Sequence, residues 1–455
     1  MTQFRENFSI EFKKLSTIAW PLLLAQLMQT GMGVSDTIMA GRYDALDMAA
    51  VAVGHSVVFP ILIFMQGVCL ALSPIVARFN GAKEAHQVSY PVWQTFYLSM
   101  LLALMVILLS FAMPDLMSRL DMDAPLRKET LEYIFFVLMA APAFAIYQTL
   151  RNYCEGLSKT RPTMVIMFIG LLVNIPANYV LINGEFGLPE MGGAGCGLAT
   201  MLVFYVMALA TWLYTVITKS LETFDLYGSF VKPDLRFMGA VAGQGVPIAL
   251  TFLAEVSLFA AVAILLAPFG HLTVASHQVA LNFSSLIFMI PLSIGLAVAI
   301  RIGHLIGEKQ TPKARVAYIC ALVLAISTVS VTATGTILGR DMIAGLYTSE
   351  TAVIEFASSL LIFAAIFQFS DAIQVVSANA LRGYKDTRAM LMISIFCYWF
   401  IGFPTGIILG LTDIFVPAMS AKGFWIGFIV GLSSAAVLMT WRVSVVQKRL
   451  TRLPS

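Results

Sequence analysis

Apolar residues in this chain come in long runs broken by short clusters of charge, Gly and Pro, and no stretch shows the period-two alternation of a strand. A window of about 19 residues resolves about twelve apolar segments. They fall at 15–40, 48–77, 91–113, 131–151, 163–183, 195–217, 240–267, 274–303, 315–339, 353–380, 389–411 and 421–446. Each can cross about 30 Å of hydrocarbon as a helix, since about 20 residues suffice. Lipid offers the backbone no hydrogen-bond partners, so a chain of this pattern is expected to be an all-α membrane protein of about 12 transmembrane helices.

The pattern repeats. A shift of 226 aligns Trp20-Pro21 with Val246-Pro247, Ala49 with Ala275, Val53 with Val279, Ala71 with Ala297 and Gly81 with Gly307. A shift of 227 matches Gly156, Thr160 and Arg161 of EGLSKTR to Gly383, Thr387 and Arg388 of RGYKDTR, and a shift of 228 aligns Pro189 with Pro417. This predicts two homologous six-helix halves, residues 1–217 and 239–455, joined by a polar, turn-prone cytoplasmic linker at 218–238. An even helix number gives both halves the same orientation, related by a pseudo-twofold along the membrane normal. Substrate sites in such proteins tend to lie near the midplane.

Three acids stand well inside the apolar runs: Asp36, Glu255 and Asp371. A charge at the bilayer centre costs about 2.5–3.5 kcal/mol on insertion scales, so such residues face a bundle interior or water. The plain alternative is a protonated carboxyl bonded to a neighbouring helix. None of the three has an acidic mate in the other half: the shifts land Glu255 on Gln29, Asp36 on Val262 and Asp371 on Phe144. That asymmetry favours specialised roles in cation handling over shared scaffolding. Polar residues at helical spacing accompany them: Gln26, Gln29 and Gly33 with Asp36; Asn174 with Asn178; Gln278 with Asn282; Gln368 and Gln374 with Asp371. Each pair taken alone reads as helix–helix glue; together they offer the oxygen donors a hard cation takes. Phe259 and Phe367, one turn from acids, are candidate lining residues, whereas most of the 24 Met and 32 Phe read as packing and lipid-facing.

Composition agrees with a membrane chain: of 455 residues, 59% are hydrophobic and 12% charged, against roughly 25% charged in soluble domains. The apolar run reaching Ala40 is too long for a cleavable leader. Of the 28 Lys and Arg, all but Arg42, Arg119, Arg127, Lys128, Arg340 and Lys422 fall on one side, which places both termini in the cytoplasm. The rule accounts for the net charge of +3 without a nucleic acid partner. Cys69, Cys154, Cys196, Cys320 and Cys397 lack CxxC spacing and read as small buried residues. His277, near the end of an outer loop, reads as structural rather than as a proton relay. GGAGCG lacks the GK[ST] ending of a phosphate loop, so use of ATP is not expected. A lipid-linked sugar flippase would carry interior Arg and Lys for pyrophosphate, whereas the interior charges here are acidic. A membrane enzyme would need a His and Asp cluster on adjacent spans, and none is visible, so no enzyme activity is expected. Concentrative, gradient-dependent transport would separate an antiporter from a channel.

PLLLAQLMQTGMGVSDTIMAG, GGAGCGLAT, VASHQVALNFSSLIFMIPLSIGLAVAIRIG and ALRGYKDTR together resemble the multidrug and toxic compound extrusion (MATE) transporters, in their NorM-like bacterial branch, over about residues 10–445. The resemblance implies a monomeric protein of the bacterial inner membrane that exports cationic amphipathic drugs and dyes in exchange for sodium or protons. No cofactor is implied beyond the coupling ion. Glu255 and Asp371 match the acidic pair implicated in cation coupling, which makes them the expected sodium ligands. Asp36 matches a first-helix aspartate that joins fifth-helix asparagines, here Asn174 and Asn178. Some relatives carry Tyr one turn before the tenth-helix aspartate; Phe367 stands here, which leaves no phenol oxygen at that position. The mechanism implied is antiport by rocking between inward- and outward-facing states, with sodium expected and a proton as the alternative ion.

Overall fold

A computed structural model describes residues 2–228 and 231–452, with side chains from Glu6 onward. Ser229 and Phe230, inside the expected linker, lie outside the described residues, as does the Arg5 side chain. The helices are α1 (Thr2–Tyr43), α2 (Ala45–Cys69), α3 (Leu72–Gly81), α4 (Ser89–Ser110), α5 (Met113–Ser118), α6 (Ala124–Met139), α7 (Ala141–Gly156), α8 (Arg161–Asn183) and α9 (Gly192–Ile217). After the short α10 (Lys219–Glu222) come α11 (Leu235–Leu266), α12 (His271–Gly307), α13 (Thr311–Tyr347), α14 (Thr351–Gly383), α15 (Thr387–Ile395), α16 (Phe403–Leu411) and α17 (Ala421–Arg452). A π-helical turn, Phe396–Gly402, joins α15 to α16. No strand occurs among the described residues.

Among those residues ten stretches are long and apolar enough to cross a membrane, and the pair α6–α7, bent by 43°, makes an eleventh. The remaining expected segment belongs to α1. At 42 residues it is long enough, but Gln26, Gln29, Thr30, Ser35 and Asp36 interrupt its apolar run.

The sequence repeat has a backbone counterpart. Lys83 and Lys309, 226 apart, take left-handed φ of 61° and 58°; Ser158 and Lys385, 227 apart, take 60° and 65°. Each ends a helix in the same way, the next amide bonding back across the turn: Glu84 N to Phe79 O (3.0 Å) and Gln310 N to Leu305 O (2.9 Å), Lys159 N to Cys154 O and Asp386 N to Leu381 O (both 2.9 Å).

By packing the chain divides into two units, Met1–Leu23 with Leu250–Ser455, and Leu24–Ala249. The divisions fall inside α1 and α11, so residues 218–238 belong wholly to the second unit. In the first unit, the start of α1 is held to α12 by a buried ion pair. Glu11 accepts from Arg301 Nε at 2.6 Å and from Nη2 at 2.7 Å. The core joins Leu258, Val262 and Leu266 of α11 to Leu360, Leu361, Ala364 and Phe367 of α14 and to Phe424, Trp425 and Phe428 of α17. Gly402, Gly406 and Gly410 meet Gly423, Gly427 and Gly431; a Cβ on Gly427 would stand 2.6 Å from Gly406 Cα. Small residues at this spacing let helices pack backbone to backbone in a membrane.

In the second unit, α11 begins against α2: a Cβ on Gly67 would lie 2.5 Å from Ala249 Cα. Asp47 is buried at the start of α9, accepting from Gly193 N at 2.7 Å. Gly192, at φ +51°, leaves the room that carboxylate occupies; the glycine-rich GGAGCG thus seats an acid, not a phosphate. Arg151 donates to Glu155 at 2.6 Å, and both are buried. Arg151 and Arg301, at or near the expected cytoplasmic ends of segments 131–151 and 274–303, lie within helices and are neutralised there.

The linker is strapped to α4. Trp93 donates to Leu226 O (2.8 Å), Tyr97 to Val231 O (2.7 Å) and Gln94 to Lys232 O (2.8 Å), while Gln94 Oε1 accepts from Asp234 N (2.7 Å). Asp234 caps α11 through the Arg236 and Phe237 amides and accepts from the Tyr90 hydroxyl at 2.7 Å. The Tyr90 hydroxyl first, then the amides, hold its carboxyl below the ordinary carboxylate range. A depressed folded pKa adds stability above the unfolded value, 3.8, and loses it as pH falls through the folded one. Exchange at the Arg236 and Phe237 amides, corrected for intrinsic rate, should therefore be faster at about pH 3 than at about pH 6. In Asp234→Asn the difference should vanish; a persisting difference would place the pH sensitivity elsewhere.

Candidate functional site

Each unit holds its own acidic centre. In the second, Asp36 on α1 is buried and gathers α8 and α9 around it. Asn174 and Asn178 donate to Asp36 Oδ1 at 2.9 and 2.6 Å, and Thr200 donates to Oδ2 at 3.3 Å. Cys196 Sγ lies 3.6 Å from the Asp36 carbonyl. The i, i+4 spacing of the asparagines puts both amides on one face of α8. Their carbonyl oxygens are buried without partners, as is Gln29 Oε1. Gln26 looks the other way and accepts from Arg151 at 3.3 Å. Sequence reasoning missed Thr200 and Cys196, although their four-residue spacing within GCGLAT marks one face of α9.

In the first unit, Glu255 shares its face of α11 with the core residues Leu258 and Val262, and it remains partly exposed. Asp371, one turn beyond Phe367 on α14, is buried, and its Oδ1 has no partner. The two carboxylates are within Coulombic range of one another. Aromatic rings cluster one turn away from them along α11 and α14. Phe259 meets Phe428 at 4.9 Å and Phe367 at 6.4 Å, while Trp425 lies 5.7 Å from Phe367 and 5.8 Å from Phe428. Phe259 and Phe367, chosen by spacing, thus pack edge to face beside the acids. Trp425, Phe428 and Tyr398 join them from helices whose sequence gave no sign of it.

The expected amides divide. Gln374 is buried on the Asp371 face with Oε1 unpartnered. Gln368 is occupied by α13, accepting from Thr332 at 2.9 Å and donating to Thr336 at 3.2 Å. Gln278 and Asn282 are exposed and bond to each other at 3.2 Å. His277 is not at a loop end: it sits inside α12, buried, with neither ring nitrogen partnered and its ring 6.1 Å from Trp425. All five cysteines are buried and free. Among the described residues no three His, Cys, Asp or Glu side chains gather as a metal group.

Ten or eleven long apolar helices among the described residues, with buried carboxylates and amides among them, define a polytopic helical membrane protein. The family model described as MatE matches residues 21–180 and 247–408, one match in each half of the repeat. The chain is similar to the multidrug resistance protein MdtK of Pectobacterium atrosepticum, 45% identical over 445 residues, covering 98% of this chain and 97% of that protein. MdtK of Yersinia pseudotuberculosis is 44% identical over 447 residues, 98% of each chain. Among solved structures, an outward-facing multidrug resistance MATE family transporter shares the fold, with a TM-score of 0.87, 20% identity and 97% of each chain covered. The chain belongs to the MatE family.

Proposed function

We propose that this protein is a multidrug efflux antiporter of the bacterial cytoplasmic membrane, with both termini inside, exporting cationic amphipathic drugs in exchange for sodium. The observation that carries this reading is the interacting Glu255–Asp371 pair, each acid one turn along its helix from a ring of the Phe259–Phe367 contact. Two carboxylates in an apolar setting repel when both are charged, and a cation between them relieves the repulsion. Aromatic faces attract organic cations. One site type therefore suits both partners of an exchange. Coupling follows if the ion binds one conformation better than the other, because a ligand with equal affinity for both shifts nothing. Asp36, Asn174 and Asn178 tune drug access or closure in the first half of the chain. The names of the MdtK relatives support drugs as the substrate class.

Efflux of a cationic dye from proteoliposomes, driven separately by sodium and pH gradients, tests the reading. Sodium-driven efflux in wild type, lost in Glu255→Gln, is the expected result. Efflux driven only by a pH gradient would replace sodium with the proton, and efflux driven by neither would end the antiport reading.

A further inference from the structure

Two carboxylates are too few ligands for a sodium ion, and no third acid, His or Cys joins them among the described residues. Any further ligand must come from neutral oxygens, the donors hard cations accept besides carboxylate. Phe367 offers none. The structure supplies one from a different helix.

Tyr398 lies in the π-helical turn Phe396–Gly402, where the Phe403 amide bonds back five residues to the Tyr398 carbonyl. Single π turns are rare and occur often at functional sites. The corresponding helix of the first half, α8, is α-helical throughout. The turn is fixed in place from two sides. Trp399 donates to the carbonyl of Ala254, the residue before Glu255, at 3.2 Å. On the other side a Cβ on Gly402 would stand 3.0 Å from Gly431 Cα. Tyr398 is 0% exposed and belongs to the same core cluster as Phe367 and Trp425. Its phenol interacts electrostatically with both Glu255 and Asp371. Ser394 lies beside it one turn earlier, yet no partner reaches the phenol oxygen in hydrogen-bonding geometry. A buried hydroxyl left without a partner costs about 1–3 kcal/mol, so its retention beside two acids calls for a ligand.

We propose that the Tyr398 phenol oxygen is a third ligand of the cation site formed by Glu255 and Asp371, taking the place of the oxygen that Phe367 cannot provide. This rests on the cation-coupled reading above. The π turn is then the device that delivers it, because it rotates the side chains of this segment relative to a regular helix while the glycine contact keeps the backbone in place.

The test is Tyr398→Phe in proteoliposomes, with sodium alone as the varied ion. The variant keeps the ring and its packing and removes one oxygen. The sodium concentration giving half-maximal dye efflux should rise about tenfold, as expected for loss of a metal-site contact, with the half-saturating dye concentration within about twofold of wild type. An unchanged sodium requirement in the variant, with wild type sodium-dependent, overturns the Tyr398 assignment and leaves the antiport reading standing. An equal rise for dye and sodium also overturns it, since that marks general loosening. A wild type indifferent to sodium overturns the sodium reading and the Tyr398 assignment with it.

Discussion

Asp371→Asn is expected to reduce sodium-driven dye efflux by about thirtyfold or more while the protein accumulates at its wild-type level. With a cation held between the two carboxylates, each carboxylate–cation contact is a close pair of opposite charges, worth about 1.5–7 kcal/mol, and 1.4 kcal/mol is a factor of ten. The amide has nearly the shape of the carboxyl, so the local packing should survive, and only the negative charge is lost. Efflux within twofold of wild type at equal abundance would remove Asp371 from the coupling site.

Glu11→Ala should be the most destabilising loss of a single charge in the first unit. Glu11 is 1% and Arg301 6% exposed, and the two meet in a fork of 2.6 and 2.7 Å. Removing one member of such a pair leaves an uncompensated buried charge, a loss of about 3–5 kcal/mol. His304, whose Nδ1 lies 3.3 Å from Arg301 Nη1, cannot take over, because an imidazole carries no negative charge with which to replace the carboxylate. Thermal unfolding in detergent should show a drop of several degrees. Glu11→Met with Arg301→Met should recover most of it, since replacing both charges with apolar groups of similar volume is often neutral. An unchanged melting temperature in Glu11→Ala would mean that the pair contributes nothing to holding α1.

The helices, their repeat and the three interior acids were legible in the chain because each depends on near neighbours. A span is set by some 20 consecutive apolar residues, and an acid inside one stands out at once. The repeat reappeared in the backbone at the spacings the alignment gave, down to the left-handed residues Lys83 and Lys309, Ser158 and Lys385. The Asp36 network was half visible: Asn174 and Asn178 announced themselves by i, i+4 spacing, whereas Thr200 became a partner only once α9 lay beside α1.

What escaped the sequence has one cause: partners far apart in the chain have no period to betray them. Glu11 and Arg301 are 290 residues apart, and nothing in an amphiphilic N-terminus points to a buried pair. The units divide inside α1 and α11 because the leading part of each helix packs with a different unit from its remainder, and no local feature of the sequence marks such a point within a helix. Tyr398 looks like one more aromatic residue in an apolar run until a π turn and the Trp399 contact set it beside two acids. The sequence by itself determined the helical membrane class, the duplication and which acids stand inside the helices. Only the tertiary structure decided which residues meet those acids, because side-chain identity is local whereas the burial of a charge or a phenol depends on every helix packed around it.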